Sequence, residues 1–274
     1  MLRAGIIQLN TGNQIAAAVD AAEGFIRHAS ERGAQLVTTP ETTHLMEMDR
    51  KAVLEKTFYE ADDPGLKRFQ ELAAELGIWL HVGSLIIKIA DDKLVNRSFM
   101  ISPEGDIRAR YDKLHLFDVD LPNGESYRES RLYQAGKSAV TIETPFGVVG
   151  LTICYDLRFP HLYRSLAEEG ASILMVPSAF TQKTGEAHWH TLLRARAIET
   201  GAFVLAAAQT GTHDTGRSTY GHSLVVDPWG TQLADTGDQP GVTLVDLDLA
   251  KVAETRLTMP NLKHKRPYGV TQFE

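Results

Sequence analysis

Cysteine is nearly missing from this chain: Cys154 is the single one among 274 residues. That excludes an intrachain disulfide and any zinc site built from several thiolates. Long apolar runs are missing too, and no stretch approaches the roughly 20 apolar residues of a membrane span. Excess positive charge is also absent. The formal net charge of −7 argues against a nucleic-acid binder that works by neutralising phosphate. The opening run, Met1 to Leu9, is broken by Gln8 and Asn10 and has neither the length nor the small-residue cleavage site of a signal peptide. We therefore expect no nucleic-acid or membrane partner and a cytoplasmic location. A Walker A loop, a Rossmann glycine fingerprint and a Gly-x-Ser-x-Gly elbow are all lacking. His188 and His190, with Trp189 between them, do not have the spacing of a zincin pair. No metal site is expected.

What is present suits a globular α/β protein. Hydrophobic residues make up 43% and charged residues 23%, ample for a sizeable core. Leu2 to Leu9 reads as a buried strand. Ile15 to Arg32 reads as a helix with an apolar stripe and Gly33 at its C-terminal cap. Gln35 to Thr39 is a short strand ending on Pro40-Glu41, and Pro64 to Leu76 is a second amphipathic helix closed by Gly77. Strand-like runs follow at 78–87, 94–101 and 107–111, and then a polar loop from Asp112 to Lys137, too long for a simple connection.

The second half repeats the alternation. Strands are expected at 148–153, 173–176, 203–208, 221–226, 231–234 and 242–248, and helices at 160–169, 187–200 and 250–257. An irregular basic tail closes the chain. Two mixed sheets packed together with helices outside would bury these apolar runs. Residues 1–274 are expected to form one domain.

Four residues stand out for chemistry. An isolated cysteine after an apolar strand is more often a small buried hydrophobe than a nucleophile. Cys154, however, sits where a buried strand gives way to the polar run Tyr155-Asp156-Leu157-Arg158, and carboxyl ends of strands are where α/β sheets bind ligands. A free thiol with a pKa near 8.5 needs a base or a nearby cation to react at neutral pH. Glu41 also follows a strand. Lys113 opens the long loop, and Glu129 lies within it. Taken singly, each of these charges would pass for a solvated surface group. The residues alone also leave open a Cys–His pairing with His115 or His188.

Together they resemble a known family. A glutamate after a strand and a proline, a lysine in Lys113-Leu114-His115-Leu116, and a cysteine in Cys154-Tyr155-Asp156-Leu157-Arg158-Phe159-Pro160 are similar to the Glu–Lys–Cys triad of the nitrilase superfamily of carbon–nitrogen hydrolases. The order Glu41, Lys113, Cys154 agrees, and Glu129 resembles the second glutamate of most members. The resemblance runs from Ala4 to Arg266-Pro267. It implies a four-layer α-β-β-α sandwich and a homodimer or higher homo-oligomer. True nitrilases carry Trp-Glu after the cysteine, where this chain has Tyr155-Asp156, so nitrile hydrolysis is disfavoured. Pro177-Ser178-Ala179-Phe180 and Thr184-Gly185-Glu186-Ala187-His188-Trp189 resemble the branch of omega-amidases and deaminated glutathione amidases. The stretches 193–200, 206–209 and 220–230 side with the latter.

The resemblance implies hydrolysis of a small carboxamide through a cysteine thioester, with Cys154 as nucleophile, Glu41 as base and Lys113 as oxyanion stabiliser. Glu129 is expected to hold Lys113 or the substrate nitrogen. Tyr155, Phe180, Thr181, Thr184, His188 and Trp189 are the expected substrate contacts, and no cofactor is expected. The expected reaction converts deaminated glutathione to 2-oxoglutarate and cysteinylglycine, with His213 or Arg217 of the loop 211–217 meeting the distant glycyl carboxylate. The rivals are an omega-amidase acting on 2-oxoglutaramate or 2-oxosuccinamate, and a catalytically silent scaffold of the same fold.

Overall fold

The computed structural model describes residues 1–121, 124 and 126–273. In chain order the first half contains β1 (Leu2–Gln8), α1 (Ile15–Glu31), β2 (Leu36–Thr38), α2 (Arg50–Lys56), α3 (Pro64–Leu76), β3 (Trp79–Ala90), β4 (Lys93–Ile101), β5 (Ile107–Asp112), β6 (Asp118–Asp120) and β7 (Ser126–Arg128). The second half contains β8 (Val140–Thr144), β9 (Gly147–Leu151), α4 (Pro160–Glu168), β10 (Ile173–Met175), α5 (Gln182–Thr200), β11 (Phe203–Ala206), β12 (Thr210–Thr212), β13 (Ser218–Tyr220), β14 (Leu224–Val226), β15 (Gln232–Asp235), β16 (Gly241–Leu247) and α6 (Ala250–Thr258). No described helix is long and apolar enough to cross a membrane.

Two six-stranded sheets carry the fold, in the orders β16-β1-β2-β3-β4-β5 and β15-β14-β11-β10-β9-β8. Side chains alternate across each strand, so a buried strand feeds two layers at once. In β1, Leu2, Ala4 and Ile6 join the core shared with the second sheet, where Leu151, Ile173, Met175 and Phe203 lie. Ile7 instead joins a separate core under α1 and α3, with Val19, Ile26, Leu66, Phe69 and Leu72. The helices cover the outer faces because their apolar positions recur at helical spacing; α1 buries Ala18, Val19, Ala22, Ile26 and Ala29. Fully burying a side chain such as Ile26 contributes about 1.5–3 kcal/mol. The result is the expected α-β-β-α sandwich.

Several boundaries differ from the sequence reading. Helix α5 begins at Gln182 rather than Ala187, because the Thr181 side chain caps it by accepting from the Thr184 amide. Helix α2, unmarked by any apolar stripe, is capped by Asp49, whose side chain accepts from the Ala52 amide. The long loop holds the β6–β7 hairpin and a tight turn at Glu129–Arg131; its residues 122, 123 and 125 lie outside the described residues. Strand β8, not expected, pairs antiparallel with β9. The strand expected at 221–226 is broken: Gly221 and His222 both have positive φ, so the chain turns between β13 and β14.

Candidate active site

The site forms where strands of both sheets end. Glu41 follows β2 through Thr39-Pro40, Lys113 follows β5, and Cys154 follows β9 at the head of a tight turn, Cys154–Arg158. Gly83 lets these ends approach. A Cβ there would stand 2.0 Å from the Thr39 carbonyl oxygen, 2.5 Å from that of Pro40 and 2.6 Å from Pro177.

Lys113 is buried, and its ammonium donates to Glu41 Oε1 at 3.0 Å and to both oxygens of Glu129 at 3.1 and 3.0 Å. Asn96, a buried polar residue of β4, donates to the same Glu41 oxygen at 2.8 Å. The other oxygen, Oε2, accepts the Ala179 amide at 2.8 Å. Burial pushes the Glu41 carboxyl up, but Lys113, a hydrogen bond with the Cys154 thiol, and Arg217 outweigh it and hold it below the usual carboxylate range. Burial likewise pushes the Lys113 ammonium down, and Glu129, Glu41 and Cys154 together raise it well above its ordinary value. The site therefore contains a fixed carboxylate and a fixed ammonium.

The thiol behaves differently. Burial, reinforced by the Glu41 charge, pushes Cys154 well up against the opposing pull of Lys113. That direction favours a neutral thiol hydrogen-bonded to Glu41 over a standing thiolate. Its backbone is strained, with φ +49°, and Thr42, next to Glu41, has φ +54°. Such non-glycine conformations cost about 1–3 kcal/mol each and persist where surrounding structure enforces them. Here the enforcement is visible. The Cys154 amide donates to the Pro177 carbonyl at 2.9 Å. Buried Asp156 accepts from the Ile153 amide at 2.9 Å, from Tyr111 Oη at 2.7 Å and from the His115 amide at 3.0 Å. Asp156 thereby clamps the cysteine turn to both sides of Lys113.

These groups lie in a cavity of about 660 Å³, within the range of small-molecule sites. Among the described residues its lining includes six cationic side chains against three carboxylates. The carboxylates are already paired, Glu41 and Glu129 with Lys113, and Glu47 with Lys56. Arg50, Arg128, Arg131, Arg158 and Arg217 surround them. A chain of net charge −7 has thus concentrated positive charge at one opening, which draws anions in.

The expected substrate contacts divide. Tyr155, Phe180, Thr181 and Thr184 line the cavity, whereas His188 and Trp189 do not. One turn along α5 the helix has passed the rim. His188 is exposed beside Arg158, and Trp189 is buried against Phe180, with its indole N–H donated to the His222 carbonyl. His213 is corrected as well. It is buried, with ring nitrogens 2.9 Å from the Thr11 carbonyl and 2.7 Å from the Thr219 hydroxyl, so it offers nothing to a ligand. His115 is tied to Asp156 at 2.7 Å rather than to Cys154. Asn96 and Asp156 were not anticipated; Asn96 stands beside Arg97 and Ser98 in β4, so nothing in the local sequence set it apart.

A profile of the carbon-nitrogen hydrolase family matches residues 3–257. A deaminated glutathione amidase of Yersinia enterocolitica is 41% identical over 237 residues, covering 85% of this chain and 82% of that protein. One of Synechocystis is 37% identical over 266 residues, covering 96% of this chain and 97% of the relative. Among solved structures, the C. elegans NitFhit protein superposes with a TM-score of 0.91 at 37% identity, covering 97% of this chain and 65% of that longer one.

Proposed function

The chain belongs to the carbon–nitrogen hydrolase family, and from that premise we propose that it hydrolyses deaminated glutathione to 2-oxoglutarate and cysteinylglycine. The observation that carries the reading is the contact of Glu41, Lys113 and Cys154 within a cationic cavity. Relatives described as deaminated glutathione amidases support the substrate.

In this reading Cys154 attacks the amide carbonyl as Glu41 takes the thiol proton. The raised thiol pKa favours transfer during attack over a standing thiolate. Negative charge building on the carbonyl oxygen meets the Lys113 ammonium and the Tyr155 amide, which lies at the free N-terminal end of its turn. Glu41 returns the proton to the departing amine, leaving an acyl thioester on Cys154. It then takes a proton from water, which attacks the thioester and releases the acid and the thiol. Glu129 keeps Lys113 charged and aimed. Asn96 and the Ala179 amide hold the Glu41 carboxylate in place. Tyr155, Phe180, Thr181 and Thr184 form the substrate wall, and Arg217 meets a distal carboxylate.

The reading extends to the whole chain. Residues 1–274 act as one domain, since β16 pairs with β1 along seven residues. A homo-oligomer accords with the exposed Leu257, Met259, Tyr268 and Phe273 of the C-terminal part. A reducing compartment, the cytoplasm, suits an enzyme that works through a free thiol.

The test is a side-by-side measurement of kcat/KM on deaminated glutathione and 2-oxoglutaramate, with intact-mass detection of an acyl adduct. The adduct should appear on the wild type and be absent from Cys154→Ala. A preference for 2-oxoglutaramate would overturn the substrate, and turnover by the alanine variant would overturn the mechanism.

A further inference from the structure

A second constellation lies away from the cavity, among residues that play no part in the proposed reaction. His190 of α5, His222 of the β13–β14 turn and Asp235 at the end of β15 place one ligand atom each within 4.8 Å of one another. His190 Nε2 is 2.9 Å from Asp235 Oδ2, and His222 Nδ1 is 2.9 Å from Oδ1. We propose that these three side chains form a zinc-class divalent metal site that ties α5 to the end of β15.

The donor set decides the class of ion. Two imidazole nitrogens and one carboxylate suit zinc and its neighbours, whereas calcium and magnesium take oxygen ligands. Zinc holds nitrogen at about 2.0–2.1 Å in tetrahedral geometry; each histidine nitrogen already stands 2.9 Å from an Asp235 oxygen and all three ligand atoms lie within 4.8 Å, so side-chain rotation brings them onto one ion, and water fills the fourth position.

The site is also built. His222 is held at φ +55°, a left-handed conformation uncommon for a residue other than glycine. The Trp189 indole donates to its carbonyl at 2.7 Å, its amide donates to the Gly237 carbonyl at 2.7 Å, and its ring stacks on Tyr220 at 4.5 Å. Asp235 is fixed in turn by the Gly237 amide, 2.9 Å from Oδ1. Side-chain exposures of 29%, 28% and 33% leave the three groups open to an entering ion. Local spacing in the sequence hides this set, because its members come from three separate elements.

The full chain, stripped with a chelator and dialysed, is titrated calorimetrically with zinc chloride alone. One ion per chain should bind, and at zinc about 100-fold above Kd the melting temperature should rise by about 5 °C. His190→Gln, a part-buried position that does not line the cavity, should weaken binding at least tenfold and abolish the melting shift while leaving amide turnover unchanged. Asp235→Asn gives a second reading if the first variant is perturbed. Cys154→Ala should bind as the wild type does, and cobalt(II) on the wild type should show no thiolate charge-transfer band. Absence of saturable binding, binding undiminished in both ligand variants, or binding lost in Cys154→Ala would each overturn the proposal.

Discussion

Glu41 and Lys113 act on the sulfur with opposite sign. The Glu41 charge raises the Cys154 pKa and the Lys113 charge lowers it. Glu41→Gln should therefore abolish turnover, because the base is gone, yet shift the pH midpoint of thiol alkylation downward. Lys113→Ala should also lose turnover, by about 100- to 1,000-fold from the oxyanion contact alone, but move that midpoint upward. Iodoacetamide rates across a pH series distinguish the two, and shifts of the same sign would refute the arrangement of charge. Lys113→Ala additionally leaves two carboxylates without their buried partner, a loss of about 3–5 kcal/mol that a urea melt will detect. Cys154 was legible from its place after the apolar β9, whereas Glu41 and Lys113 read singly as surface charges; their order and flanking motifs singled them out, and the structure brings all three into contact. His213 misled for the converse reason: a histidine among Gly, Thr and Asp reads as surface, and only the fold shows Thr11 and Thr219 closing over it.

Elements meet the site through backbone as well as side chains. Gly83→Ala should force β3 away from the Thr39 and Pro40 carbonyls, at a cost of about 1–3 kcal/mol. Because Glu41 follows Pro40 directly, kcat should fall with stability; a destabilised variant of undiminished kcat would show that the strand ends do not set the carboxylate. Far from the site, Arg68 of α3 reaches Glu23 of α1 at 2.7 Å, and Arg27 donates to the same carboxylate at 2.8 Å. Chiefly through Arg68, the Glu23 carboxyl falls from 4.5 to about 2. A depressed folded-state pKa means that this stabilisation is full above about pH 4.5 and disappears as the pH falls through about 2. Arg68→Ala should cost about 1 kcal/mol near neutrality, with the gap to wild type closing over that acid range in melts at successive pH values. Long periodic elements such as α1 and α3 were legible. Short ones such as α2, β6 and β7 were not, since seven or three residues give periodicity too little length, and caps such as Asp49 mark only one end.

At the scale of the whole molecule, charge separation makes a kinetic prediction. Arg217→Ala, which removes a cation from the cavity wall, should lower kcat/KM on deaminated glutathione by roughly 10- to 150-fold, the value of a charge-assisted contact. The uncharged-ended part of the reaction should suffer less, so a neutral analogue amide should lose far less rate. Equal losses on both would assign Arg217 to its effect on Glu41 rather than to the substrate carboxylate. The two-sheet architecture itself was readable from strand–helix alternation in each half, but the pairing of the first strand with the last was not, because nothing local encodes it. That pairing has a consequence for synthesis. β1 lies between β2 and β16, and its register runs from Leu2–Leu247 to Gln8–Gly241. While the ribosome extends the chain at about 5–20 residues per second, the β1 edge waits roughly 10–50 s for its partner. An exposed edge of that kind invites pairing with other chains, so the nascent protein needs chaperone cover late in translation, and messages truncated before the β16 codons should yield aggregates rather than a smaller enzyme.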